Sequence, residues 1–525
     1  METHTDYKVL ITTSGIGSRL GELTRYRNKA LVAIGDKPAI SHIIESYPAT
    51  VEFIVTIGYY KEQLREFLPL AYPDRMFTFV DVDLYKGEGS SLAYSLYQAR
   101  DHLQCPFIFH ASDTIVQDVI PQPTVNWVGG FKGDNFKDYR SFNVIRGSVQ
   151  FIEDKGAMNT DFIHIGLVGV LQFEIFWNAL EKILLRNADN ELGDVDVINE
   201  LINSNITFSF YEFDRWYDVG NVVSIKNALQ TFQQSKNILS KNQESVFLFD
   251  DFVVKFFFDS TIITNRLKRA KYLQNVIPRI ENTSKYFYRY SYIKGEMLSH
   301  VLTSKLLKQF LQWLELNLWV DKISVSKQDF SERCYAFYYD KTLERVNKFL
   351  CSRGLQDSSS IINTEEVPTI KDIFSTLDFN LLSDGIQAGF HGDLVLDNVI
   401  KTNDSFCLID WRQDFSGLYN AGDQYYDFAK LNHSLIVNHE IINRNLFTIR
   451  SEKNGHIECD ILRKNTFVQC QNDLFCYLQD RGYNTKKVKL ITALIWLNMA
   501  PLHHHPFDLF LYYFGKLKLW QEINI

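Results

Sequence analysis

A short apolar run, Tyr7 to Ile11, leads directly into a turn that holds two glycines. The stretch Ile11 to Leu31 reads ITTSGIGSRLGELTRYRNKAL, with Gly15 and Gly17 in the turn. The length and branched residues of the apolar run predict a β-strand. A glycine turn leaving a strand points backbone N–H groups into one small volume, which suits phosphate oxygens. Arg19, Thr24 and Lys29 follow, and the two cations add charge that can track a triphosphate. The stretch predicts a loop that holds a nucleoside triphosphate for attack.

The alternation around this loop sets the fold class. Residues 7–13, 51–57 and 106–110 are short apolar runs rich in Val, Ile and Phe. Helical spacing separates them at Ile40 to Tyr47, Lys61 to Leu68 and Ser90 to Leu103. Strands alternating with helices predict βαβ units on a mostly parallel sheet, an α/β fold. Ligands of such sheets bind at the carboxyl ends of the strands, where the glycine loop sits. The run Phe107 to His110 ends in Ala111, Ser112 and Asp113. At that edge Asp113 can hold Mg2+ on a triphosphate, or it can cap the next turn. Gly87 to Ser91, GEGSS, either contacts a base or phosphate or serves as turn and N-cap. FIEDK at Phe151 to Lys155 and FIHIGLVGV at Phe162 to Val170 follow, then a helical stretch, Phe173 to Leu185. Phe208 to Asn221 reads FSFYEFDRWYDVGN. Its Asp218 either joins Asp113 at one metal or closes the turn before a helix at Val222 to Phe232.

The polar stretch Gln233 to Gln243 marks a boundary. It divides the chain into a domain at 1–236, a linker at 237–243 and a domain at 244–525. After it, Val246 to Leu248 and Phe252 to Phe258 read as a hairpin around Asp250 and Asp251. Lys255 lies inside the second strand, where an unpaired ammonium is costly to bury. Phosphate oxygens would pair it; snorkelling to solvent is the alternative. Thr264 to Gln274 reads as a helix, and YSYIKGEML at Tyr290 to Leu298 as a strand, a glycine and a helix start. From Leu302 helical spacing dominates to the end, broken by the polar loop Gly354 to Ser360.

Within that helical half, HGDLVLDNVI at His391 to Ile400 and FCLIDW at Phe406 to Trp411 are joined by a polar turn. Asp393 and Asn398 share one loop, and Asp410 ends the following strand. Phosphoryl transfer needs a carboxylate to orient the attacking hydroxyl and oxygen ligands for Mg2+ on ATP. Asp393 fits the first role, Asn398 and Asp410 the second. Asp427, in YYDFAK, is placed to pack against or hydrogen-bond that loop. The histidines 503–505 read as a polar turn between C-terminal helices, since adjacent histidines on a helix cannot share one ion.

Charge and cysteine content narrow the partners. With 55 basic against 63 acidic residues the net charge is −8, so nothing favours nucleic acid as the main partner. The seven cysteines are scattered without a CxxC pair, which fits a reducing cytoplasm better than disulfides or structural zinc. The polar start METHTDYK reads as no signal peptide, and the apolar run Leu490 to Leu502 is too short to span a membrane. Small molecules are the expected partners. The oligomeric state is not readable, and a homo-oligomer is compatible with the chain.

The opening loop resembles the signature of nucleotidyltransferases that make NDP-sugars and CDP-choline. The matching residues are Gly15, Gly17, Ser18, Arg19, Thr24, Lys29 and Leu31; Asn28 stands where that family has proline, and Thr13–Ser14 where it has an alanine pair. Further matches are Lys37–Pro38, Asp113, Glu153, Lys155, Gly166 and the WYDVGN stretch with Asp218. The second half resembles the aminoglycoside phosphotransferase and choline kinase group, relatives of protein kinases, through HGDLVLDN, LIDW, YSYIKGEML and YYDFAK. No acidic residue stands in Asn265 to Gln274 where that group pairs its phosphate lysine.

These resemblances imply a Rossmann-like nucleotidyltransferase domain followed by a bilobal, protein-kinase-like domain with a small β-rich lobe and a large helical lobe. In the first, Ser14, Gly15, Gly17 and Ser18 would bind the nucleotide, with Arg19 and Lys29 catalytic. Glu153, Lys155 and Gly166 would bind the acceptor, while Asp113 and Asp218 hold Mg2+. In the second, Asp393 would orient a hydroxyl, Lys255 steady the ATP phosphates, and Asn398 and Asp410 hold Mg2+. The implied function is a kinase step with ATP followed by nucleotidyl transfer from CTP, UTP or another triphosphate. The product would be an NDP-sugar for a surface glycan; CDP-choline is the second reading. A third has one half as a degenerate, regulatory ligand-binding domain.

Overall fold

The computed structural model describes residues 7–133, 136–186, 192–233, 242–451 and 455–525. Most of the linker expected at 237–243 lies outside the described residues. The chain divides into two compact units, Met1–Ser260 with Ile280–Tyr290, and Thr261–Arg279 with Ser291–Ile525.

The first unit is built on a nine-stranded mixed sheet. Its strands in spatial order are Met76–Asp81, Glu52–Ile57, Lys8–Thr12, Phe107–Ala111, Phe162–Val170, Trp127–Phe131, Ser209–Glu212, Ser148–Glu153 and Ser141–Ile145. The first four run parallel. Beyond them the pairing is antiparallel, except where Ser209–Glu212 meets Trp127–Phe131. The parallel strands Lys8–Thr12, Glu52–Ile57 and Phe107–Ala111 are buried on both faces, while Met76–Asp81 is largely not. Val9 and Ile11 join one core cluster with Phe53, Val55 and Ile108, while Leu10, Ile54, Phe107 and Phe109 join the other. This period-2 split explains why these strands read as continuous apolar runs. The Ser141–Ile145 and Ser148–Glu153 strands turn through Arg146 and Gly147, with φ +51° and +79°. That geometry matches the twist of a two-residue hairpin.

The hairpin at Glu244–Leu248 and Phe252–Phe257 forms as its pattern predicts, with Val246 opposite Lys255. It extends to a four-stranded sheet with Phe287–Ser291 and Ile280–Thr283. These strands cluster with the first unit. Phe67, on the helix Lys61–Ala71, packs at 5.6 Å from both Phe247 and Phe287. Leu248 N–H donates to the Asp36 carbonyl at 2.8 Å.

The second unit is mainly helical. Its central helix, Gln424–Ile436, is buried along its whole length although it carries six polar or charged side chains, of which Gln424 donates to Tyr483 Oη at 3.3 Å. Each has a partner, as burial requires. Asn432 donates to Thr492 Oγ1 at 2.9 Å, Ser434 to the Leu431 carbonyl at 2.8 Å, and His433 Nδ1 accepts from Trp496 at 2.8 Å. Asp427 and Lys430 belong to the loop described below. Helical spacing fails in more than one place: Gln387–Ala388 pairs with Gly422–Asp423, and a larger sheet interrupts it as well. Ser360–Ile362, Glu365–Val367, Phe447–Ser451 and Ile457–Ile461 form a four-stranded sheet inside the half expected to be helical. Its middle pairing joins Ile362 to Ile457, too distant in sequence for local patterning to show. The histidines 503–505 lie between the helices Thr485–Met499 and Phe507–Ile523, as expected. No helix among the described residues is long and apolar enough to cross a membrane.

Candidate active site

Two neighbouring parallel strands deliver the first cluster. Thr12 and Ala111 end their strands in register, so the glycine loop and Asp113 leave the same sheet edge. Ser112 Oγ donates to the Thr12 carbonyl at 2.7 Å and ties the two exits together. Asp218 arrives from elsewhere. The strand Trp216–Asp218 pairs with Thr114–Val116, placing Asp218 opposite Thr114, and Val219 N–H donates to the Asp113 carbonyl at 2.8 Å.

Gly220 shows how closely the charges converge. A Cβ there would lie 2.9 Å from Asp113 Oδ2, 3.1 Å from Asp218 Oδ1 and 3.3 Å from Arg19 Nη2. Arg19 reaches Asp113 at 3.5 Å, and its side chain is 63% exposed. So open an ion pair is weak, which leaves the guanidinium available to a ligand. Asp218 is held firmly: it accepts from Tyr139 Oη at 2.9 Å, Gly220 N–H at 2.9 Å and Asn221 Nδ2 at 3.3 Å. Burial and the Asp218 charge raise the Tyr139 hydroxyl to about 12, so it stays a donor at neutral pH. Tyr139 had no sequence signal; it approaches from a loop distant in sequence.

The loop itself is tied from below by Asn28, the residue in the family's proline position. Asn28 Nδ2 donates to the Thr13 carbonyl at 3.0 Å and to that of Tyr59 at 2.7 Å, while Oδ1 accepts from Ala30 N–H at 2.9 Å. Thr24 Oγ1 donates to the Gly17 and Gly21 carbonyls, each at 3.2 Å. Gly17 has φ +67°, and a Cβ on it would press on Lys29 Cβ at 3.0 Å. Gly15 has nothing within 4 Å of such a Cβ, so its surroundings do not demand glycine. Burial pulls the Lys29 pKa down, and nearby Asp113 opposes that pull.

Part of this cluster lines a cavity of about 430 Å³; Gly220 is in its wall, and Asp218 lies against Gly220 outside the lining. Ser14, Gly15, Gly17, Ser18, Arg19, Lys29 and Asp113 are in its walls. Ser90 and Ser91 form part of the facing wall. Ser91 also caps the helix Leu92–Gln98 by accepting from Tyr94 N–H at 3.0 Å, as the N-cap reading of that segment expects. Gly166 lies behind the Asp113 turn, with φ +71°, where a Cβ would meet Ala111 Cβ at 2.8 Å. Glu153 and Lys155 are exposed and outside the cavity walls. Among the described residues no group of three His, Cys, Asp or Glu is placed to hold a metal. The Asp113–Asp218 pair fits an ion that takes one or two carboxylates and completes its shell with phosphate and water, as Mg2+ does.

The second cluster lies in the second unit. The strands Val399–Lys401 and Phe406–Leu408 pair antiparallel and bring the two ends of the motif together. Asn398 Nδ2 donates to the Asp393 carbonyl at 3.0 Å, and Ile409 N–H to the Asn398 carbonyl at 2.9 Å. Asp410 has φ +63°, a strained conformation for a non-glycine residue, and accepts from Arg266 Nη1 at 2.6 Å. His391 Nε2–H donates to the Ile409 carbonyl at 3.0 Å, and burial lowers its pKa to about 4, so the ring is neutral. Asp427 does hydrogen-bond this loop: it accepts from His391 and Gly392 N–H and from Trp319 Nε1 at 3.2 Å. Lys430 Nζ lies 2.8 Å from Asp393 Oδ1. Burial alone would lower the Lys430 pKa, but the Asp393 charge prevails and raises it. Sequence reading did not single out Lys430, which lies 37 residues beyond Asp393. Lys255 is buried on the strand Phe252–Phe257 of the first unit.

A phosphate-sized loop facing paired carboxylates at the edge of a parallel sheet defines a nucleotidyltransferase. Choline-phosphate cytidylyltransferase of Streptococcus pneumoniae (strain ATCC BAA-255 / R6) is 30% identical over 233 residues, which cover 40% of this chain and 94% of that protein. Through this N-terminal part the chain belongs to the nucleotidyltransferase family of that enzyme. The bifunctional protein GlmU of Methanococcus vannielii is 24% identical over 244 residues, 44% of this chain and 56% of that protein. The chain thus spans about half the length of that relative. Among solved structures, the CTP:phosphocholine cytidylyltransferase of Streptococcus pneumoniae matches with a TM-score of 0.37 at 20% identity, covering 44% of this chain and all of that one. The inositol-1-phosphate CTP transferase of T. maritima matches with a TM-score of 0.36 at 11% identity, covering 45% of this chain and 99% of that one. No family model matches the chain.

Proposed function

We propose that the first unit transfers the nucleotidyl group of a nucleoside triphosphate to a small phosphomonoester. A phosphate oxygen of the acceptor attacks the α-phosphorus, the bond from that phosphorus to the β-phosphate oxygen breaks, and pyrophosphate leaves. Loop N–H groups around Gly15 and Gly17 receive the triphosphate, and Arg19 stabilises charge building on the leaving pyrophosphate. Lys29 neutralises the reacting phosphates. Asp113 and Asp218 would hold Mg2+, which lowers the repulsion between the two anionic reactants. The observation that carries this reading is the convergence of Asp113, Asp218 and Arg19 on Gly220, beside the glycine loop. The name of the 30%-identical relative supports CTP as donor and an alkyl phosphate such as phosphocholine as acceptor. The sugar 1-phosphate reading leaned on WYDVGN and on the Glu153–Lys155 element; Glu153 and Lys155 are exposed and outside the cavity walls, and that reading takes second place.

We further propose that the second unit moves the γ-phosphate of ATP to a hydroxyl of a small metabolite. The hydroxyl oxygen bonds to the γ-phosphorus, ADP leaves, and Asp393 orients the hydroxyl and takes up its proton. Asn398 and Asp410 would hold the Mg2+ of the nucleotide. The support is the loop on which Asn398 donates to the Asp393 carbonyl, with the strand before Asp410 tied to it by the Ile409 N–H bond to the Asn398 carbonyl.

The test is a pyrophosphate-release screen crossing CTP, UTP, GTP and ATP with phosphocholine, phosphoethanolamine, glycerol phosphate and sugar 1-phosphates. One donor–acceptor pair should stand out. Silence across the whole screen would refute the first proposal.

A further inference from the structure

In the second unit the helix Lys327–Tyr335 runs through a π-helical segment, Ala336–Asp340, into the helix Lys341–Arg353. Single π turns inside helices concentrate at functional sites. This one presents Phe337, and two cations sit over its ring. Lys341 Nζ is 4.0 Å from the ring centroid and the Arg412 guanidinium 4.9 Å. Arg345, one turn along from Lys341, lies within electrostatic range of both Lys341 and Arg412. Lys430, also in range of Lys341 and Arg412, adds a fourth charge beside Asp393.

Among the described residues none of the nearby acids forms an ion pair with Lys341, Arg345 or Arg412, although the Asp414 charge acts on Lys341 from a distance. Asp393 is taken by Lys430. Asp414 offers Arg412 its backbone carbonyl at 3.0 Å, while its carboxylate accepts from Gly417 N–H at 2.9 Å. Glu344 neighbours Arg345 in the chain and is exposed, and Arg345 spends a donor on the Asn498 carbonyl at 3.0 Å. Among the described residues Lys341, Arg345 and Arg412 form no ion pair. Gathering like charges without a counter-charge is unfavourable. Burial and the three neighbouring cations push the Lys341 pKa well down, against the weaker opposing charge of Asp414. An incoming anion would reverse that penalty. The Phe337 ring meets Tyr426 at 4.9 Å, and Tyr426 lies on the same central helix as Lys430, which brings the cluster to the side of Asp393.

We propose that Lys341, Arg345 and Arg412 seat the anionic group, carboxylate or phosphate, of the molecule whose hydroxyl is delivered to Asp393. The inference rests on the phosphoryl-transfer reading of the second unit and names its acceptor class. That acceptor is an anionic hydroxy compound, not choline or a neutral sugar. On this inference phosphocholine would not be supplied by the second unit; if the two units act in sequence, the acceptor of the first unit is a phosphomonoester with a second anionic group.

The full chain tests this through ADP formation from ATP with matched acceptors. Glycerate and glycerol 3-phosphate, which separate carboxylate from phosphate, are set against glycerol, choline and glucose. Only anionic acceptors should be phosphorylated. Their KM should rise about ten- to hundredfold in Lys341→Gln and Arg345→Gln, with the KM for ATP unchanged and Lys341→Arg near wild type. Equal or better turnover of choline or glycerol overturns the proposal, as does a KM change that falls on ATP. A second arm needs no turnover: inorganic phosphate should raise the Tm of the wild type more than that of the two glutamine variants. If all three respond equally, the anion site is wrong. If the phosphate shift depends on Lys341 and Arg345 but no acceptor yields ADP, the site stands and the phosphoryl-transfer reading falls.

Discussion

The backbone N–H of His391 donates to the buried Asp427 carboxylate at 2.7 Å, and that of Gly392 does so at 2.8 Å. A residue on the central helix therefore holds the loop that carries Asp393. Asp427→Asn puts an amide NH2 where one of these acceptors stood, so a buried N–H loses its partner. The expected loss is about 1–3 kcal/mol of stability, read as a lower urea midpoint with an unchanged slope. An unchanged midpoint would show that the loop holds itself.

The same carboxylate makes a pH prediction. Burial raises its folded pKa to about 6, against the offsetting N–H donors of His391 and Gly392. A carboxyl raised on folding binds its proton more tightly in the folded state. Its contribution is complete below the unfolded pKa, near 4, and is lost as pH rises through the folded value. The stability advantage of wild type over Asp427→Asn should therefore shrink between about pH 4 and pH 6. Growth of that advantage with pH would reverse the sign and contradict the assignment.

The two loop glycines should separate fold from function. Gly17→Ala forces a left-handed φ on alanine and crowds Lys29, at a cost of about 1–3 kcal/mol. Gly15→Ala meets nothing within 4 Å, so its stability should stay within about 0.5 kcal/mol of wild type. Its methyl group would nevertheless point where a triphosphate approaches, and the KM for the nucleotide should rise several-fold. Denaturation curves and pyrophosphate-release kinetics on both variants check this. Loss of stability in Gly15→Ala with normal kinetics would remove the loop from nucleotide binding.

Asp393→Ala should abolish ATP-dependent phosphorylation while sparing pyrophosphate release from a supplied phospho-acceptor. Joint loss of both activities in a folded protein would argue for one site served by the other unit as regulator.

Much of this was legible because it is local. The glycine loop, the strand before Asp113 and the spacing from Asp393 to Asn398 are contiguous patterns, and the buried strands Lys8–Thr12, Glu52–Ile57 and Phe107–Ala111 show as apolar runs. What escaped notice depends on distant contacts. The Ile362–Ile457 pairing leaves no periodic trace in either strand. Tyr139 reaches Asp218 from 79 positions away. Lys341, Arg412 and Lys430 come from three separate stretches, and only their convergence in space suggests the proposed anion site. The Glu153–Lys155 element was read through resemblance alone, and burial and cavity shape decide its surroundings independently of motif.

The central claim concerns attack at the α-phosphorus in the cavity lined by Asp113 and Gly220, with Asp218 against Gly220. The direct measurement follows label from α-phosphorus-labelled and γ-phosphorus-labelled CTP, with the winning phospho-acceptor, in wild type and Asp113→Asn/Asp218→Asn. The account predicts α-label in the activated product, γ-label in pyrophosphate, and a drop in both of at least about a hundredfold in the double variant. Label from the γ-position on the acceptor, or full activity without the two carboxylates, would contradict it.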